Sequence, residues 1–528
     1  MEAYERANPS DLVRLDEIDP NYEPTACYYA LQEKNPVILF EGVKGYEGFR
    51  MATNALGSEE RLAFALGADQ RTSAFDRWNF ITGSEGTPRM SEDAPVKEVV
   101  ITGSDVDVFR LPVPVHFMQD GTRKGFQRYI TGGIVASRNP ERKEEVNLSF
   151  TRIQLIGRGR YAFDCGSKGH FYTYVQKALK KNIPMPITVI IGVHPLLYLL
   201  AASFTENEYK KAASALPLTL TEGVENDIPL PAEAEIALEA EVLPESFDEG
   251  PFSEYTGYVG LDSTKNVARV KSILRRKDAI YYDVQPSNSN EHVNLFSFPR
   301  HAAVQRVTNS VMPPGHTYRL FWPQRASNYM VLGYVDPPQA GLAKQLGLLL
   351  LASDPLFSKL ALVNEGHTNL SLYGLLANLA ASYSPERVEI VKGLYSIGSN
   401  PTGTEGTSAK LIAVSSGNAS FSVKSDGLPV KLLGGGQVLL AIDTAKTSQG
   451  IINIRFPSDV EKADEDTLAW VLATRVKPDE DIDIRRDGID IDATRAVGEI
   501  PQLPPEIISR VRGRLLREAL KNQRSFWP

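Results

Sequence analysis

Residues Ile187 to Phe204 read ITVIIGVHPLLYLLAASF, and this run decides whether the chain spans a membrane or folds around a core. The run is about the minimum length that crosses a bilayer, yet His194-Pro195 interrupts it near its centre. Proline fixes φ and lacks an amide proton, so it belongs in the first turn of a helix rather than in mid-span. The run therefore divides into a β-branched strand, ITVIIGV, then a turn and a helix starting near Pro195. It reads as core.

The composition agrees. The 528 residues are 42% hydrophobic and 23% charged, as in an ordinary globular protein, and the length suggests about two to four domains. A net charge of −8 argues against a general binder of nucleic acid or of anionic membrane. Cys27 and Cys165 are too few for a disulfide framework or a cysteine-rich zinc site, so a cytoplasmic location is expected. The first residues, MEAYERANPSDLVRLDEIDP, are charged throughout and lack the apolar run of a signal peptide.

The pattern along the chain predicts an α/β multi-domain protein. Residues 1–105 mix helix-like EERLAFALGA with strand-like PVILF, a small N-terminal α/β domain. Residues 106–315 are rich in strands: YITGGIVASR, VNLSFTRIQLIG, PITVIIGV, AEIALEAEVL, VARVKSILRR and AIYYDVQ, a central barrel-like or sandwich domain. Residues 316–528 alternate again, with helical GLAKQLGLLLLAS and EDTLAWVLATRV beside strands KLALV and KLIAVSS, a C-terminal α/β domain. The tail EIISRVRGRLLREALKNQRSFWP reads as a basic terminal helix, packed on the fold or touching another subunit.

The polar residues of the middle domain carry the chemistry. Glu249 to Gly260, EGPFSEYTGYVG, holds two acids five residues apart. Such acids point to opposite faces of a strand and lie roughly 140° apart on a helix, so Glu249 and Glu254 converge only if the chain turns at Gly250-Pro251. An acidic surface turn and a carboxylate pair with separated pKa values both fit. In VNLSFTRIQ, Arg152 shares a strand face with Leu148 and Phe150, which is costly unless it snorkels or meets a carboxylate or phosphate. DCGSKGH ends a Gly-bracketed loop at His170, which suits an anion. TENEY offers Glu206 and Glu208, and Asn, His and Glu together suit Mn²⁺ or Mg²⁺. LLGGGQVLL lacks a phosphate-loop signature and reads as a strand connection, and PDEDIDIRRDGIDIDATR reads as strand with a solvated acidic face. No GxSxG, HExxH or CxxC motif occurs.

LPVPVHFMQDG, RYITGGIVASRNP, VNLSFTRIQ, GSKGH, PMPITVIIGVHP, EYKKAASAL, AEIALEAEVLP and EGPFSEYTGYVG resemble, in order and spacing, the UbiD-type decarboxylases that use prenylated FMN. The resemblance is dense from about Leu111 to Val311 and implies a central split-barrel-like cofactor domain. It implies that Asn147, His170 and Glu208 hold Mn²⁺ (or Mg²⁺) against the cofactor phosphate, with K⁺ nearby. It extends cofactor contacts to Ser149, Phe150, Thr151, Arg152 and Gly169, and makes Arg152, Glu249 and Glu254 the catalytic network, with Glu254 as proton donor. Asn147 and Arg152 lie on opposite faces of a straight strand, so a bulge or strong twist is expected between them.

The implied function is non-oxidative, reversible decarboxylation of an aromatic, heteroaromatic or α,β-unsaturated acid. A flavin prenyltransferase would supply the cofactor, and a homo-oligomer, dimer or hexamer, is expected by resemblance. The alternative is an accessory subunit of a multi-component carboxylase. It is motivated by the third domain, where the family's acidic run is replaced by Asn364, Glu365, His367 and Asn369. An insertion between about 385 and 455, or a slipped correspondence, would each explain that departure. His292, Arg300 and His301 are further candidates to line a pocket, beside structural roles.

Overall fold

The computed structural model describes residues 2–68, 73–142, 144–165, 169–404, 406–425, 428–445 and 450–522. The chain forms two compact units, Met1–Pro299 with Ile500–Pro528, and Arg300–Glu499. The expected segments 1–105 and 106–315 thus share the first unit as far as residue 299, and the tail returns to it.

A nine-stranded antiparallel sheet dominates the first unit. Its strands are β1 (Val99–Thr102), β2 (Tyr129–Ile130), β3 (Gly133–Arg138), β4 (Val146–Phe150), β5 (Ile153–Gly157), β6 (Arg160–Phe163), β7 (Met185–Ile191), β8 (Ile236–Glu249) and β9 (Ser263–Arg275). They run in the order β2-β5-β6-β9-β8-β7-β3-β4, with β1 on β9. Consecutive strands β2 and β3 lie at opposite ends of this path, as do β4 and β5. Each pair is joined by two residues, Thr131-Gly132 and Thr151-Arg152. The three Cα–Cα steps of such a link reach only ~10 Å. The sheet must therefore curl until its ends approach, which makes it a split barrel with a seam at these two links.

The seam corrects two strand readings. YITGGIVASR and VNLSFTRIQLIG were each expected as one strand, and each is cut in two. The break at Thr151-Arg152 supplies the change of direction expected between Asn147 and Arg152. The opening run divides as read, into β7 and the helix α2 (Pro195–Ala201), which follows α1 (His170–Lys181). His194 caps α2, its ring accepting the Leu196 N–H at 3.2 Å. Tyr198 then donates its hydroxyl to the Gly132 carbonyl at 2.9 Å, which braces the seam from α2.

The N-terminal segment forms a four-stranded sheet from Leu12–Ile18, Val37–Val43, Phe49–Thr53 and Ala279–Asp283. AIYYDVQ, expected with the central strands, pairs here in parallel with Phe49–Thr53. The terminal helix Pro505–Asn522 packs on Glu23–Ala30, with Arg510 2.7 Å from Glu23. The second unit holds a five-stranded sheet and a six-stranded sheet. GLAKQLGLLLLAS and EDTLAWVLATRV form helices Leu342–Ser353 and Glu465–Arg475, the latter capped by Asp464. LLGGGQVLL is a hairpin joining Val430–Gly434 to Gln437–Asp443. Among the described residues no helix is long and apolar enough to cross a membrane.

Glu239, fully buried on β8, accepts main-chain N–H bonds from Val224, Glu225 and Asn226 at 3.0–3.1 Å, and the Ser272 hydroxyl. Stranded buried donors cost ~1–3 kcal/mol each. Glu239→Ala is therefore expected to lower the thermal unfolding midpoint clearly. Glu222→Ala, exposed on the same loop, should leave the midpoint nearly unchanged.

Candidate active site

The link at Thr151-Arg152 brings a guanidinium to the seam, and the end of β8 brings the acids. Glu249 is the last residue of β8, and Gly250-Pro251 turns the chain into a short ribbon, Phe252–Ser253 paired with Val259–Gly260. Arg152 donates Nε to Glu249 Oε1 at 2.9 Å and Nη2 to Glu249 Oε2 at 2.8 Å, a bidentate pair. Its Nη1 donates to Glu254 Oε1 at 2.6 Å. The two acids thus converge on one cation, which settles the open choice against a solvated turn. Glu249 is 2% exposed and Glu254 25%, so one carboxylate is sealed in and the other faces space.

Two further charges complete the group. Asp164 lies 3.9 Å from Arg152 and 2.9 Å from Lys265, which is also 3.9 Å from Glu249. The guanidinium carbon sits 5.2 Å over the Phe252 ring. Burial opposes the Arg152 charge, but Glu254 and Glu249 hold its pKa well above the ordinary arginine value. Arg152 is a permanent cation here. Sequence reading gave Asp164 no role and missed Lys265, because nothing local marks either as a partner of Arg152.

These residues wall a cavity of about 180 Å³ whose lining includes Thr131, Phe150, Thr151, Arg152, Asp164, Phe252, Glu254 and His292. Both seam links contribute to it. His292, near the start of α4 (Asn290–Val311), turns Nδ1 to the Ser287 carbonyl at 3.0 Å, and burial holds its ring below the usual histidine range. The other two pocket candidates have structural partners: His301 stacks on Trp322 at 4.0 Å, and Arg300 lies 3.7 Å from Asp354.

The expected ion ligands lie on neighbouring elements. Asn147 is buried on β4, which packs against α1 and α2. His170 is the first residue of α1, with Gly169 before it at the N-cap, and Glu208 opens the helix α3 (Glu208–Ala213). Residues 166–168 of the expected anion loop lie outside the described residues. Asn147 donates to the Ser149 hydroxyl at 2.9 Å, and the Leu148 N–H donates to the Glu208 carboxylate. His170 Nε2 is 3.7 Å from Glu206, the neighbouring acid. Glu206 is 77% exposed and Glu208 1%, so Glu208 is the acid turned inward.

Comparison with known proteins gives the family. The N-terminal domain model of 3-octaprenyl-4-hydroxybenzoate carboxy-lyase matches residues 5–77, and its Rift-related domain model matches residues 89–289. The chain belongs to the UbiD family. An anhydromevalonate phosphate decarboxylase from Methanosarcina mazei is 30% identical over 299 residues, 56% of this chain and 66% of that protein. The structure of the UbiD-class enzyme HmfF from Pelotomaculum thermopropionicum in complex with FMN is 26% identical. Its TM-score is 0.71, over 79% of this chain and 93% of that one. An evolved dimeric form of HmfF with prFMN shares the fold, at 22% identity and TM-score 0.63 over 96% of each chain. The UbiD models stop at residue 289.

A cation fits the Asn147–His170–Glu208 region of this UbiD chain. Glu208 Oε2 is buried and has no hydrogen-bond partner, and burial pushes the carboxyl up to about 8. A buried carboxylate oxygen without a donor is what a hard cation satisfies. Among the described residues, this region included, no group of three or more His, Cys, Asp or Glu gathers as a metal cluster.

Removing one partner of a buried ion pair leaves the other charge stranded, at a cost on the order of 3 kcal/mol. Arg152→Ala should therefore lower stability far more than Glu254→Gln, because it strands the sealed Glu249. Denaturant melts of the two variants beside wild type check this order.

Proposed function

We propose that this chain is a non-oxidative decarboxylase of an aromatic, heteroaromatic or α,β-unsaturated carboxylic acid, dependent on prenylated FMN and reversible under high CO₂. The observation that carries this reading is one arginine bridging two unequal acids on the wall of a cavity, in a UbiD chain. When bound, prenylated FMN supplies an electrophilic ring that accepts the electron pair left behind by departing CO₂.

The remaining work falls to the protein. The N-terminal end of α1, from Gly169, offers main-chain N–H groups to the cofactor phosphate, a favourable place for an anion. Asn147, His170 and Glu208 would hold Mn²⁺ or Mg²⁺, with K⁺ as a second ion, and the Ser149–Phe150–Thr151 run would give the cofactor further contacts. Glu249 fixes the plane of Arg152 through two parallel bonds, so Nη1 stays aimed at Glu254. Arg152 also offers charge to the substrate carboxylate before CO₂ leaves. Glu254, facing the cavity, delivers a proton to the carbon that has lost CO₂. A flavin prenyltransferase supplies the cofactor, and the working form is a homo-oligomer.

Chain co-produced with a flavin prenyltransferase and offered a panel of benzoic, heteroaromatic and cinnamic acids is expected to release CO₂. In D₂O the product should carry deuterium at the former carboxyl position. Glu254→Gln and Arg152→Ala should each lose activity by at least about 10²-fold, the scale of losing a positioned proton donor. Full activity of either variant with bound cofactor rejects the assignment.

The ion has its own test. Mn²⁺ added to cofactor-free protein should raise the unfolding midpoint, since a ligand of the folded state stabilises it. The rise should grow from pH 6.5 to 8.5, because Glu208 must lose its proton to bind the ion. In Glu208→Gln the rise should vanish at every pH.

A further inference from the structure

The proton donor is only as well placed as its main chain, and that chain is held by a carboxylate outside the cavity. Asp120 is fully buried. Its Oδ1 accepts the Ser253 N–H at 3.0 Å and the Ser253 hydroxyl at 2.8 Å, and its Oδ2 accepts the Phe117 N–H at 3.2 Å. Ser253 directly precedes Glu254. One carboxylate therefore ties the loop at Phe117 to the residue beside the proton donor.

The surrounding contacts make that tie tight. The Gly121 N–H donates to the Pro251 carbonyl at 2.7 Å. Gly121 has φ +64°, and a Cβ on Gly250 would stand 2.8 Å from the Gly121 Cα, so two glycines let the loop lie directly on the turn. From the other side, the Ser253 carbonyl accepts the Ser287 N–H at 3.3 Å. The Glu254 side chain lies over Gly260, where a Cβ would meet its Cγ at 2.8 Å. Among these contacts Asp120 alone takes both the N–H and the hydroxyl of Ser253.

Resting on the decarboxylase reading above, we infer that Asp120 is a positioning residue for proton delivery: through Ser253 it fixes the height and angle at which Glu254 reaches the reacting carbon. The three donors around Asp120 are two N–H groups and a hydroxyl, which only an acceptor with two free oxygens satisfies together. An asparagine presents one oxygen and turns an NH₂ toward a donor. Asp120→Asn therefore loosens the ribbon without removing a group from the cavity.

The first readout needs neither cofactor nor substrate. In cofactor-free protein, amide exchange of residues 250–257 should quicken at least about tenfold in Asp120→Asn, the scale of losing one bond to a charged acceptor. Exchange in β7 should be unchanged. In loaded enzyme, with the best acid of the panel, kcat should fall about 10–100-fold while KM stays within about threefold, as for a donor displaced by an ångström. The solvent deuterium effect on kcat should rise as proton transfer becomes limiting. Ser253→Ala, which keeps the carboxylate and loses only the hydroxyl, should move both readouts the same way by a few-fold, and carries the test if Asp120→Asn does not fold. Wild-type exchange and kcat in these variants, beside an inactive Glu254→Gln, overturn this inference alone. A fully active Glu254→Gln overturns the functional reading and this inference with it.

Discussion

A guanidinium set into the wall of a barrel must be met on every side, because stripping it of water costs several kcal/mol before any partner is counted. Arg152 is met by a bidentate acid, a second acid and an aromatic face. Asp164 and Lys265 then alternate charge around it, so each acid in the group sees a cation. Arginine does not give up its proton in proteins. It is therefore the fixed point of the site. The more exposed of its two direct partners is the one that faces the cavity.

The seam explains why such a residue sits here. Inside a regular strand, Arg152 would alternate into the apolar face that holds Leu148 and Phe150, with no room for three charged neighbours. Where the strand breaks, the link residues leave the ladder and their side chains turn along the gap between the sheet's ends. Thr131, on the other link, donates to the buried Asp283, which also receives His116 and Gln285. Polar groups gather at the seam because the ladder no longer satisfies the main chain.

Much of this was legible where the signal is local. Pro195 marked the start of α2 because proline at the first helical position needs no partner chain, and Gly250-Pro251 marked a turn for the same kind of reason. The convergence of Glu249 with Glu254 was only half legible: spacing allowed it and equally allowed a surface turn, and family resemblance carried the choice. Strand partners were not legible. AIYYDVQ has the period of a strand, but period says nothing about pairing with Phe49–Thr53, some 230 residues earlier. The breaks at the seam were hidden because β-branched and apolar residues continue through them. Asp164, Lys265 and Asp120 carry no motif, and Asp120 meets Ser253 across 133 residues of chain.

The buried acids of the first unit divide by the partners they are given. Glu239, Asp120 and Glu291 are each fully buried and each accept main-chain N–H groups from loops, Glu291 taking those of Asn54 and Leu56. Dipoles offset desolvation only in part, and burial leaves Asp120 pushed up to about 6 and Glu291 to about 7. Such acids suit stapling, since the work is done by geometry. Glu249 and Glu254 instead face a full cation, which compensates far more of the lost solvation at the same distance. In the proposed reaction a carboxylate that acts on a substrate needs a partner that can be shared with that substrate, and a guanidinium nitrogen with two N–H groups can be shared where a main-chain amide with one cannot. In the proposed reaction the chemistry therefore follows the arginine, while the staples hold the loops around it.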